Sequence, residues 1–465
     1  MTGSVAIPNL AQDTIVAIAT PPGRGGIGIV RLSGPDAPRL LLPHLQLRSA
    51  LQPGRARYCA IMDGGARLDE GVVTWFAVPN SYTGEHVLEV AAHGSPVILD
   101  LLVRRALEAG ARLARPGEFT ERAFLNGRID LTQAEAVRDL IAAETFYQAR
   151  VAAEQLGGAL SRRLVPAKEQ LVALITLLEA GIDFAEDDID VTPDGEIARR
   201  LDALDASLQP IVASFREGRL VHNGLTMAIV GRPNAGKSSL FNRLVERERA
   251  IVTATPGTTR DLVTERISLG GIPVELVDTA GLRETRDEAE SHGVARTHSA
   301  MADADLVLLL LDATAAVDAE GVLRLPDEDA GLLASLQERS PLVVLNKIDL
   351  ARPTSMDGVT DEPEQVSALT GEGVPELRRQ LLERVRGSGG NDAQSGMLTS
   401  LRHYEALAGC TEALARARGA LAEQVPHEML LLDLYAALQQ LDQLTGATTA
   451  DDILNRIFSS FCIGK

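Results

Sequence analysis

The stretch "LTMAIVGRPNAGKSSL", residues 225–240, decides the fold of the middle of this 465-residue chain. It contains Gly231-x-x-x-x-Gly236-Lys237-Ser238, preceded by an apolar run that predicts a strand and followed by a pattern that predicts a helix. In such a loop the glycines let backbone N–H groups turn inward around phosphates. Lys237 can then reach β- and γ-phosphate oxygens, and Ser238 can bind Mg²⁺. The stretch therefore predicts a phosphate-binding loop (P-loop) on an α/β sheet.

Two further motifs end predicted strands downstream. "VELVDTAGL" (274–282) carries Asp278, which can hold the Mg²⁺ shell, and Gly281, whose N–H can meet a γ-phosphate. "PLVVLNKIDL" (341–350) carries Asp349, whose carboxylate can accept from both guanine N1–H and the exocyclic amine. Adenine lacks that donor pair and would leave the carboxylate unpaired, so such a site discriminates strongly.

The fourth motif, "VSAL" (366–369), can offer a backbone N–H to guanine O6. Four motifs in this order and spacing predict a Ras-like GTPase domain. The residues predicted to bind GTP or GDP are Asn234, Ala235, Gly236, Lys237, Ser238, Ser239, Thr253, Ala254, Thr255, Pro256, Gly257, Thr258, Thr259, Asp278, Thr279, Ala280, Gly281, Asn346, Lys347, Ile348, Asp349, Ser367, Ala368 and Leu369.

The hydrolytic machinery departs from that of Ras-type enzymes. Leu282 follows the Asp-Thr-Ala-Gly motif where Ras-type enzymes use Gln to orient water, so another acid or a partner must do so. The switch-like loop "IVTATPGTTRD" (251–261) offers Thr258 and Thr259 hydroxyls and, with Asn234, a ring of neutral oxygens. Such a ring suits a monovalent cation, whereas Arg260 is a competing candidate for an arginine finger.

Composition limits the remaining function classes. The chain is 45% apolar and 23% charged with a net charge of −19, which is typical of an ordinary soluble protein with no global attraction to nucleic acid. We expect no signal peptide and no membrane-spanning run. Three widely spaced cysteines, Cys59, Cys410 and Cys462, argue against a disulfide framework and predict a cytoplasmic location. RNA binding would need local basic patches, such as the one in residues 102–128.

The chain divides into segments of different periodicity, and the prediction is a multidomain protein. Residues 1–126 have an α+β pattern, residues 127–218 a helical one with a predicted capping box at Thr132 and Glu135, and residues 219–386 the alternation of an α/β domain. Residues 387–465 begin as a flexible linker and return to helices. We predict a P-loop domain inserted in a discontinuous helical domain, although two separate helical domains would give the same pattern.

Together, "GRPNAGKSSL", "TPGTTRD", "DTAGLRET", "NKID" and the terminal "FCIGK" resemble the MnmE (TrmE) family of tRNA modification GTPases. The resemblance covers the whole chain, including "DTIVAIATPPGRGGIGIVRLSG", "NSYTGEHVLEVAAHGSPVILDLL" and "RPGEFTERAFLNGRIDLTQAEAV" in the N-terminal part. It implies an enzyme that adds a carboxymethylaminomethyl or aminomethyl group to C5 of the wobble uridine of certain tRNAs. It also implies a homodimer joined through N-terminal domains, an FAD-dependent partner protein (a heterotetramer in all), and no membrane.

The resemblance also implies site residues and cofactors. K⁺ drives the G domains of the family together and activates hydrolysis, and a 5-formyl- or methylene-tetrahydrofolate bound in the N-terminal domain supplies the one-carbon unit. Glu290, in "RETRDEAESHG", falls on the acid that orients the hydrolytic water. The matching metal and folate positions are, for K⁺, Asn234, Thr253, Thr255 and Thr258; for Mg²⁺, Ser238 and Thr259; and for folate, Arg31, Glu89, Arg128 and Lys465. Arg128 stands where the family pattern has Lys, so its geometry differs although its charge is kept.

The terminal "SSFCIGK" (459–465) is a poor lipidation box, because Gly464 replaces an aliphatic residue and Lys465 is an unusual last residue. A helix predicted in "TADDILNRIFSSF" would dock the tail and bring Cys462 and Lys465 to the folate site. Cys462 is then a candidate nucleophile or redox-sensitive thiol in the modification chemistry.

Two other function classes compete. A ribosome-assembly or translation switch GTPase would share the nucleotide motifs but leave the N-terminal region unexplained. A membrane- or partner-remodelling GTPase would need a basic amphipathic face or an insertion loop, and neither pattern is present.

Overall fold

The computed structural model describes residues 13–183, 193–248, 264–278, 304–356, 362–386, 396–447 and 457–464. These residues form two compact units. The first lies within Met1–Arg138, Leu156–Gly158 and Gln439–Lys465, and the second within Asp139–Gln155 and Ala159–Leu438.

A mixed sheet organises the first unit. Its seven strands run in the order β3-β4-β5-β6-β2-β1-β7, and all neighbours are antiparallel except β1 and β7. The strands are β1 Ile15–Ile18, β2 Gly25–Ser33, β3 Leu45–Leu47, β4 Arg57–Asp63, β5 Ala66–Phe76, β6 Val87–Gly94 and β7 Arg112–Leu113. Because side chains alternate along a strand, one face of this sheet is apolar and the other carries polar residues.

The apolar face packs mainly on the helix Pro96–Glu108. Val30 and Val90 of the central strands share an apolar cluster with Leu99 and Leu102 of that helix. The described helices that begin in this unit are α1 Ala37–Leu40, α2 Pro96–Glu108, α3 Glu118–Leu125 and α4 Leu131–Ala142. This α+β arrangement leaves the opposite face of strands β2 and β6 for the polar site described below.

Helix α4 begins with a different capping box from the predicted one. The backbone N–H of Gln133 donates to Asp130 Oδ1 at 2.8 Å, and the Asp130 N–H donates to Gln133 Oε1 at 3.0 Å. The prediction of a capping box at Thr132 and Glu135 was therefore wrong by two residues. Both residues already lie inside the helix and are buried. Asp is as good an N-cap as Thr, so the pattern alone did not separate the two registers.

The second unit contains a largely parallel sheet. Its strands run in the order β15-β13-β11-β8-β10-β9, with β9 and β10 antiparallel and the other pairs parallel. They are β8 Leu225–Gly231, β9 Thr264–Leu269, β10 Ile272–Asp278, β11 Leu306–Asp312, β13 Leu342–Asn346 and β15 Glu364–Val366, while β12 Val322–Leu323 and β14 Ser355–Met356 pair separately. The central strand β11 is buried over most of its length.

Helices cover both faces of this sheet. Along β11, Leu308 and Leu310 belong to one apolar cluster and Val307, Leu309 and Leu311 to another. Both faces of the strand are thus buried, as is usual for a parallel sheet. The described α-helices that begin in this unit are α5 Phe146–Leu156, α6 Ala159–Asp183, α7 Asp194–Ala213, α8 Phe215–Asn223, α9 Lys237–Glu248, α10 Ala313–Ala316, α11 Asp327–Ser335, α12 Val374–Arg386, α13 Leu401–Ala422 and α14 His427–Thr445.

Helices that precede the strands of the parallel sheet in sequence pack against a helix that follows them. The rings of Phe215 in α8 and Tyr404 in α13 stack with centroids 4.4 Å apart. Arg418 Nε also donates to Asp202 Oδ1 at 3.0 Å. The predicted fold class, an α+β N-terminal part, a discontinuous helical part and an inserted P-loop fold, is confirmed. Within the described ranges, no helix is both long and apolar enough to cross a membrane.

Candidate functional site

The P-loop follows β8 and ends in α9, as the sequence predicts. Asn234 has a left-handed backbone with φ of +67°, and Gly236 has φ of +93°. A Cβ atom on Gly236 would lie 2.2 Å from Asn346 Nδ2, so glycine is required where that amide crosses the loop. Ser238 and Ser239 are exposed at the start of α9. The loop therefore presents backbone N–H groups and hydroxyls at a helix N-terminus, an arrangement suited to anions.

Lys237 is buried against the loop. Its Nζ donates to the carbonyl oxygens of Gly231 at 2.9 Å and Arg232 at 2.8 Å. The side chain is 8% exposed. The ammonium is thus held inside the loop, where it neutralises part of the charge of a phosphate that the loop would enclose.

Asn346, the last residue of β13, joins the P-loop to the "VSAL" segment. Its Nδ2 donates to the Ala235 carbonyl at 2.8 Å, and its Oδ1 accepts from the Ala368 N–H at 2.9 Å. The side chain is buried, so both hydrogen bonds are shielded from water. Ser367 is also buried and its Oγ accepts from the Thr370 N–H. Three segments far apart in sequence therefore meet through one amide.

The turn after Asn346 carries the predicted guanine-binding acid. Lys347 has φ of +68°, and its ammonium donates to Asp312 Oδ2 at 2.5 Å. Ile348 is buried, Asp349 is exposed, and Leu369 of the neighbouring segment is also exposed. Burial raises the pKa of Asp312, but hydrogen bonds from Lys347 and Thr314 more than offset it, so the pKa lies below its usual value. Asp312 is therefore ionised at neutral pH.

Part of the predicted site lies outside the described residues. This applies to Thr253, Ala254, Thr255, Pro256, Gly257, Thr258, Thr259, Thr279, Ala280, Gly281, Glu290 and Lys465. Asp278 ends β10, where its Cα pairs with that of Ile229 on β8. That position puts its backbone beside the strand that leads into the P-loop, at the carboxyl edge of the sheet.

Sequence reasoning missed an acidic anchor for the P-loop. Arg232 Nε lies 2.8 Å from Glu328 Oε2, and its Nη1 lies 3.7 Å from Asp329 Oδ2. Burial raises the pKa of Asp329, and the charge of Arg232 opposes that rise only in part. The acidic run "DED" at residues 327–329 was the available signal. Without the fold it could not be distinguished from ordinary acids in a first helical turn.

Arg31 and Glu89 meet on the polar face of the first unit's sheet. They are direct cross-strand partners on β2 and β6, and Arg31 Nε donates to Glu89 Oε1 at 2.8 Å. The Arg31 guanidinium lies 5.8 Å from the ring centroid of Tyr82 and 5.7 Å from that of Phe119. Such distances allow cation–π attraction. The charged pair was predicted from the sequence, whereas the two rings were not.

The C-terminal tail lies beside this pair. Arg31 Nη1 donates to the Gly464 carbonyl at 3.3 Å. Gly464 has φ of +98°, and a Cβ there would lie 2.3 Å from the Ile18 carbonyl, so the close approach requires glycine. Phe458 and Phe461 anchor the tail in an apolar cluster with Leu131, Ala134 and Val137. The tail therefore docks next to Arg31, and Cys462 is exposed.

Arg128, the third predicted folate residue, is exposed in the turn after α3. A Cβ on Gly84 would lie 3.2 Å from Arg128 Cγ, so its stem borders the loop before β6. The structure therefore brings Arg31, Glu89 and the tail together, and places Arg128 on the Gly84 loop.

An ion network that the sequence analysis missed supports the same region. Arg122 of α3 is 2% exposed, and its Nη2 donates to Asp13 Oδ1 at 2.6 Å and Glu118 Oε1 at 3.1 Å. Its Nη1 donates to Glu85 Oε2 at 3.1 Å, and the same oxygen accepts from Ser33 Oγ at 2.7 Å. A buried Arg is stable only with such partners. The network ties α3 to strand β2 and to the loop that precedes β6.

A P-loop, an Asn-Lys-x-Asp turn and a "VSAL" segment on one parallel sheet define a P-loop GTPase. A family model described as "MnmE helical domain" matches residues 131–462, and one described as "GTP-binding protein TrmE N-terminus" matches residues 14–128. The chain belongs to the MnmE family. The family and the GTPase class expected from the sequence are thereby confirmed.

Individual relatives agree over nearly the whole length. A protein of Koribacter versatilis (strain Ellin345) is 57% identical over 459 residues, which is 98% of this chain and 99% of the relative. A protein of Legionella pneumophila (strain Corby) is 44% identical and one of Nitrosomonas europaea 45% identical, each covering 98% of this chain and 100% of the relative. All three are called "tRNA modification GTPase MnmE".

Proposed function

We propose that this chain is a K⁺-dependent, GTP-hydrolysing tRNA modification enzyme. With an FAD-dependent partner protein it adds a carboxymethylaminomethyl or aminomethyl group to C5 of the wobble uridine of certain tRNAs. The observation that carries the proposal is that one chain of the MnmE family assembles a nucleotide site around Asn346 and a separate polar site around Arg31 and the C-terminal tail. Two sites in one chain suit an enzyme that couples hydrolysis to a second reaction.

At the nucleotide site, we assign the phosphates to the P-loop and Lys237, and the guanine to Asp349 and a backbone N–H of the "VSAL" segment. Mg²⁺ prefers oxygen ligands and keeps part of its coordination for water and substrate phosphates. Ser238 at the start of α9 and Asp278 at the end of β10 fit this requirement. Among the described residues, no group of three or more His, Cys, Asp or Glu could hold a metal.

For hydrolysis, we assign water orientation to Glu290 and K⁺ binding to Asn234, Thr253, Thr255 and Thr258, with Thr259 as a second Mg²⁺ ligand. Replacement of K⁺ by Na⁺ should slow GTP turnover sharply if a K⁺ site is used, whereas an arginine finger at Arg260 would be insensitive to the exchange. Glu290→Ala should keep GTP affinity and lose most of the hydrolysis rate. Unchanged turnover of that variant would remove Glu290 from the mechanism.

We assign the polar site of the first unit to a 5-formyl- or methylene-tetrahydrofolate. The fit rests on the donors present: a carboxylate at Glu89 can accept from the pterin amino edge, and Arg31, Arg128 and Lys465 can bind glutamyl or carbonyl oxygens. Calorimetry with 5-formyltetrahydrofolate should give saturable heat that Glu89→Gln reduces. Glu70→Gln is the matched control, because Glu70 lies on β5 of the same sheet and pairs with Arg67. Equal loss in both variants would contradict the assignment.

Cys462 belongs to the modification chemistry on this proposal and not to GTP hydrolysis. The tRNA of a deletion strain should lack the modified wobble uridine, which nucleoside analysis would show. The wild-type gene should restore it and Cys462→Ser should restore little or none, although GTPase activity of that variant is retained. A ribosome-assembly or translation switch GTPase is the alternative function, and normal tRNA with defective ribosomal particles in the deletion strain would favour it.

The partners follow from the same proposal. We expect a homodimer formed through N-terminal domains, a heterotetramer with the FAD-dependent partner, binding of tRNA, and a cytoplasmic location. Sedimentation of the purified chain, alone and with the partner, tests the two assemblies directly.

A further inference from the structure

Asp312 lies at the edge of the nucleotide site but belongs to none of the motifs that define it. It is the last residue of β11, and its Cα pairs in register with that of Asn346, the last residue of β13. Parallel strands end at one edge of a sheet, and ligands of such folds bind outside that edge. The carboxylate is thus placed beside the turn that carries Asn346, Lys347 and Asp349.

The two oxygens of Asp312 have separate partners. Oδ1 accepts from the Thr314 N–H at 2.9 Å and from Thr314 Oγ1 at 2.7 Å, which caps the short helix α10. Oδ2 accepts from Lys347 Nζ at 2.5 Å. The hydrogen bonds from Thr314 hold the Asp312 carboxylate in place, and its Oδ2 in turn holds the Lys347 ammonium.

The backbone of Lys347 needs such a support. Its φ of +68° lies in the left-handed region, which an ordinary L-residue populates at a cost. The turn is closed by the Leu350 N–H, which donates to the Lys347 carbonyl at 2.9 Å, and by the Ile348 N–H, which donates to the Val366 carbonyl at 3.3 Å. This conformation directs the Asn346 amide inward and leaves Asp349 exposed.

The ion pair of Asp312 and Lys347 is partly shielded from water. The side chain of Asp312 is 19% exposed and that of Lys347 is 28% exposed. Ion pairs on an open surface contribute little, whereas a partly buried, charge-assisted hydrogen bond is stronger and less affected by salt.

We propose that Asp312 is a positioning residue for nucleotide binding. Through Lys347 it holds the Asn346–Asp349 turn in the conformation that accepts guanine. The inference rests on the nucleotide site proposed above, in which Asp349 binds the base. Asp312 itself touches neither the base nor the phosphates on this assignment.

The direct test is Asp312→Asn, which keeps the size of the side chain and an oxygen for the Thr314 cap but removes the charge. We expect the Kd for a fluorescent GDP analogue and the KM for GTP to rise about tenfold, with kcat little changed. Asp318→Asn is the matched control, since Asp318 caps the N–H groups of Glu320 and Val322 in the same fold. Unchanged GDP affinity in Asp312→Asn would overturn the inference.

A double-mutant cycle with Lys347→Met tests whether Asp312 acts through Lys347. If Asp312 acts through Lys347, adding Asp312→Asn to Lys347→Met should weaken GDP binding no further. An equal loss in both backgrounds would contradict the proposal. Thr314→Val removes the cap hydroxyl but leaves Asp312 with Lys347, and it should keep wild-type affinity. A loss there as large as that of Asp312→Asn would assign the effect to the cap and also overturn the proposal.

Asp349→Asn separates this inference from the proposed nucleotide site. Weaker GDP binding in Asp349→Asn with normal binding in Asp312→Asn would refute the role of Asp312 alone. Normal binding in Asp349→Asn would refute the assigned base contact, and the positioning role with it.

Discussion

Asn346 Nδ2 donates to the carbonyl of Ala235 at 2.8 Å, and this contact joins strand β13 to the P-loop across 111 positions of sequence. The same side chain accepts from the Ala368 N–H, so its nitrogen and its oxygen each hold one backbone partner. Gly236 passes so close to the amide that no side chain fits between them. These contacts hold β13, the P-loop and the "VSAL" segment together.

Asn346→Asp should disrupt this junction. The variant keeps an acceptor for the Ala368 N–H but places a second acceptor opposite the Ala235 carbonyl, in a buried position. Loss of one buried hydrogen bond plus that repulsion should weaken GDP binding on the order of 10- to 100-fold. Titration of a fluorescent GDP analogue measures the effect. Asn223→Asp, an exposed position at the end of α8, serves as control and should bind GDP normally.

Gly464→Ala should release the C-terminal tail. A Cβ would meet the Ile18 carbonyl at 2.3 Å, and φ of +98° is unfavourable for alanine. We expect faster digestion of the last residues by a carboxypeptidase, followed by intact-mass measurement. Gly419→Ala is the control, because Gly419 lies in α13 with open space around it. Equal digestion rates in wild type and Gly464→Ala would show that the contact does not hold the tail.

The three cysteines should differ in reactivity. Burial raises the pKa of Cys59 to about 11 and that of Cys410 to about 12, and both side chains are inaccessible. Cys462 is exposed. Because the thiolate is the reactive form, a thiol reagent at neutral pH should modify one thiol per native chain rapidly. Cys462→Ser should abolish the rapid phase, and denaturation should expose the other two. A rapid phase that persists in this variant would contradict the assignment.

The pair of His93 and Asp69 predicts a pH dependence of stability in the first unit. His93 Nδ1 lies 2.6 Å from Asp69 Oδ1, and the hydrogen bond and charge of Asp69 raise the pKa of His93 above its usual value of 6.5. Burial raises the pKa of Asp69, but the hydrogen bonds from His93 and the backbone outweigh it and leave that pKa lowered. The stabilisation is therefore complete below the unfolded His pKa and is lost as pH rises through the folded one.

Accordingly, His93→Gln should lower the Tm relative to wild type near about pH 6, and the difference should shrink in alkaline buffer. Calorimetric scans over a pH series measure it. Asp69→Asn should remove the same pH-dependent difference, and a difference that grows with pH would have the wrong sign for this pair.

Much of the architecture could be predicted from short patterns. The apolar run of β8 followed by Gly231–Ser238 predicted the strand, loop and helix that are observed, because local spacing and glycine positions determine that unit. The α4 cap was misplaced, since Asp130 and Thr132 are both competent N-caps and only packing of Thr132 and Glu135 chose between them.

By itself, the sequence determined the type of each segment and which residues could carry chemistry, because periodicity, turn residues and motif spacing are local properties. Tertiary structure alone decided which distant residues meet. Arg31 contacts Gly464 across 433 positions of sequence, and Asp312 contacts Lys347 across 35. Arg232 likewise meets acids at the start of α11. These contacts depend on strand order and on helix docking. Both are determined by the burial of apolar residues that lie far apart in sequence, which local patterns do not specify.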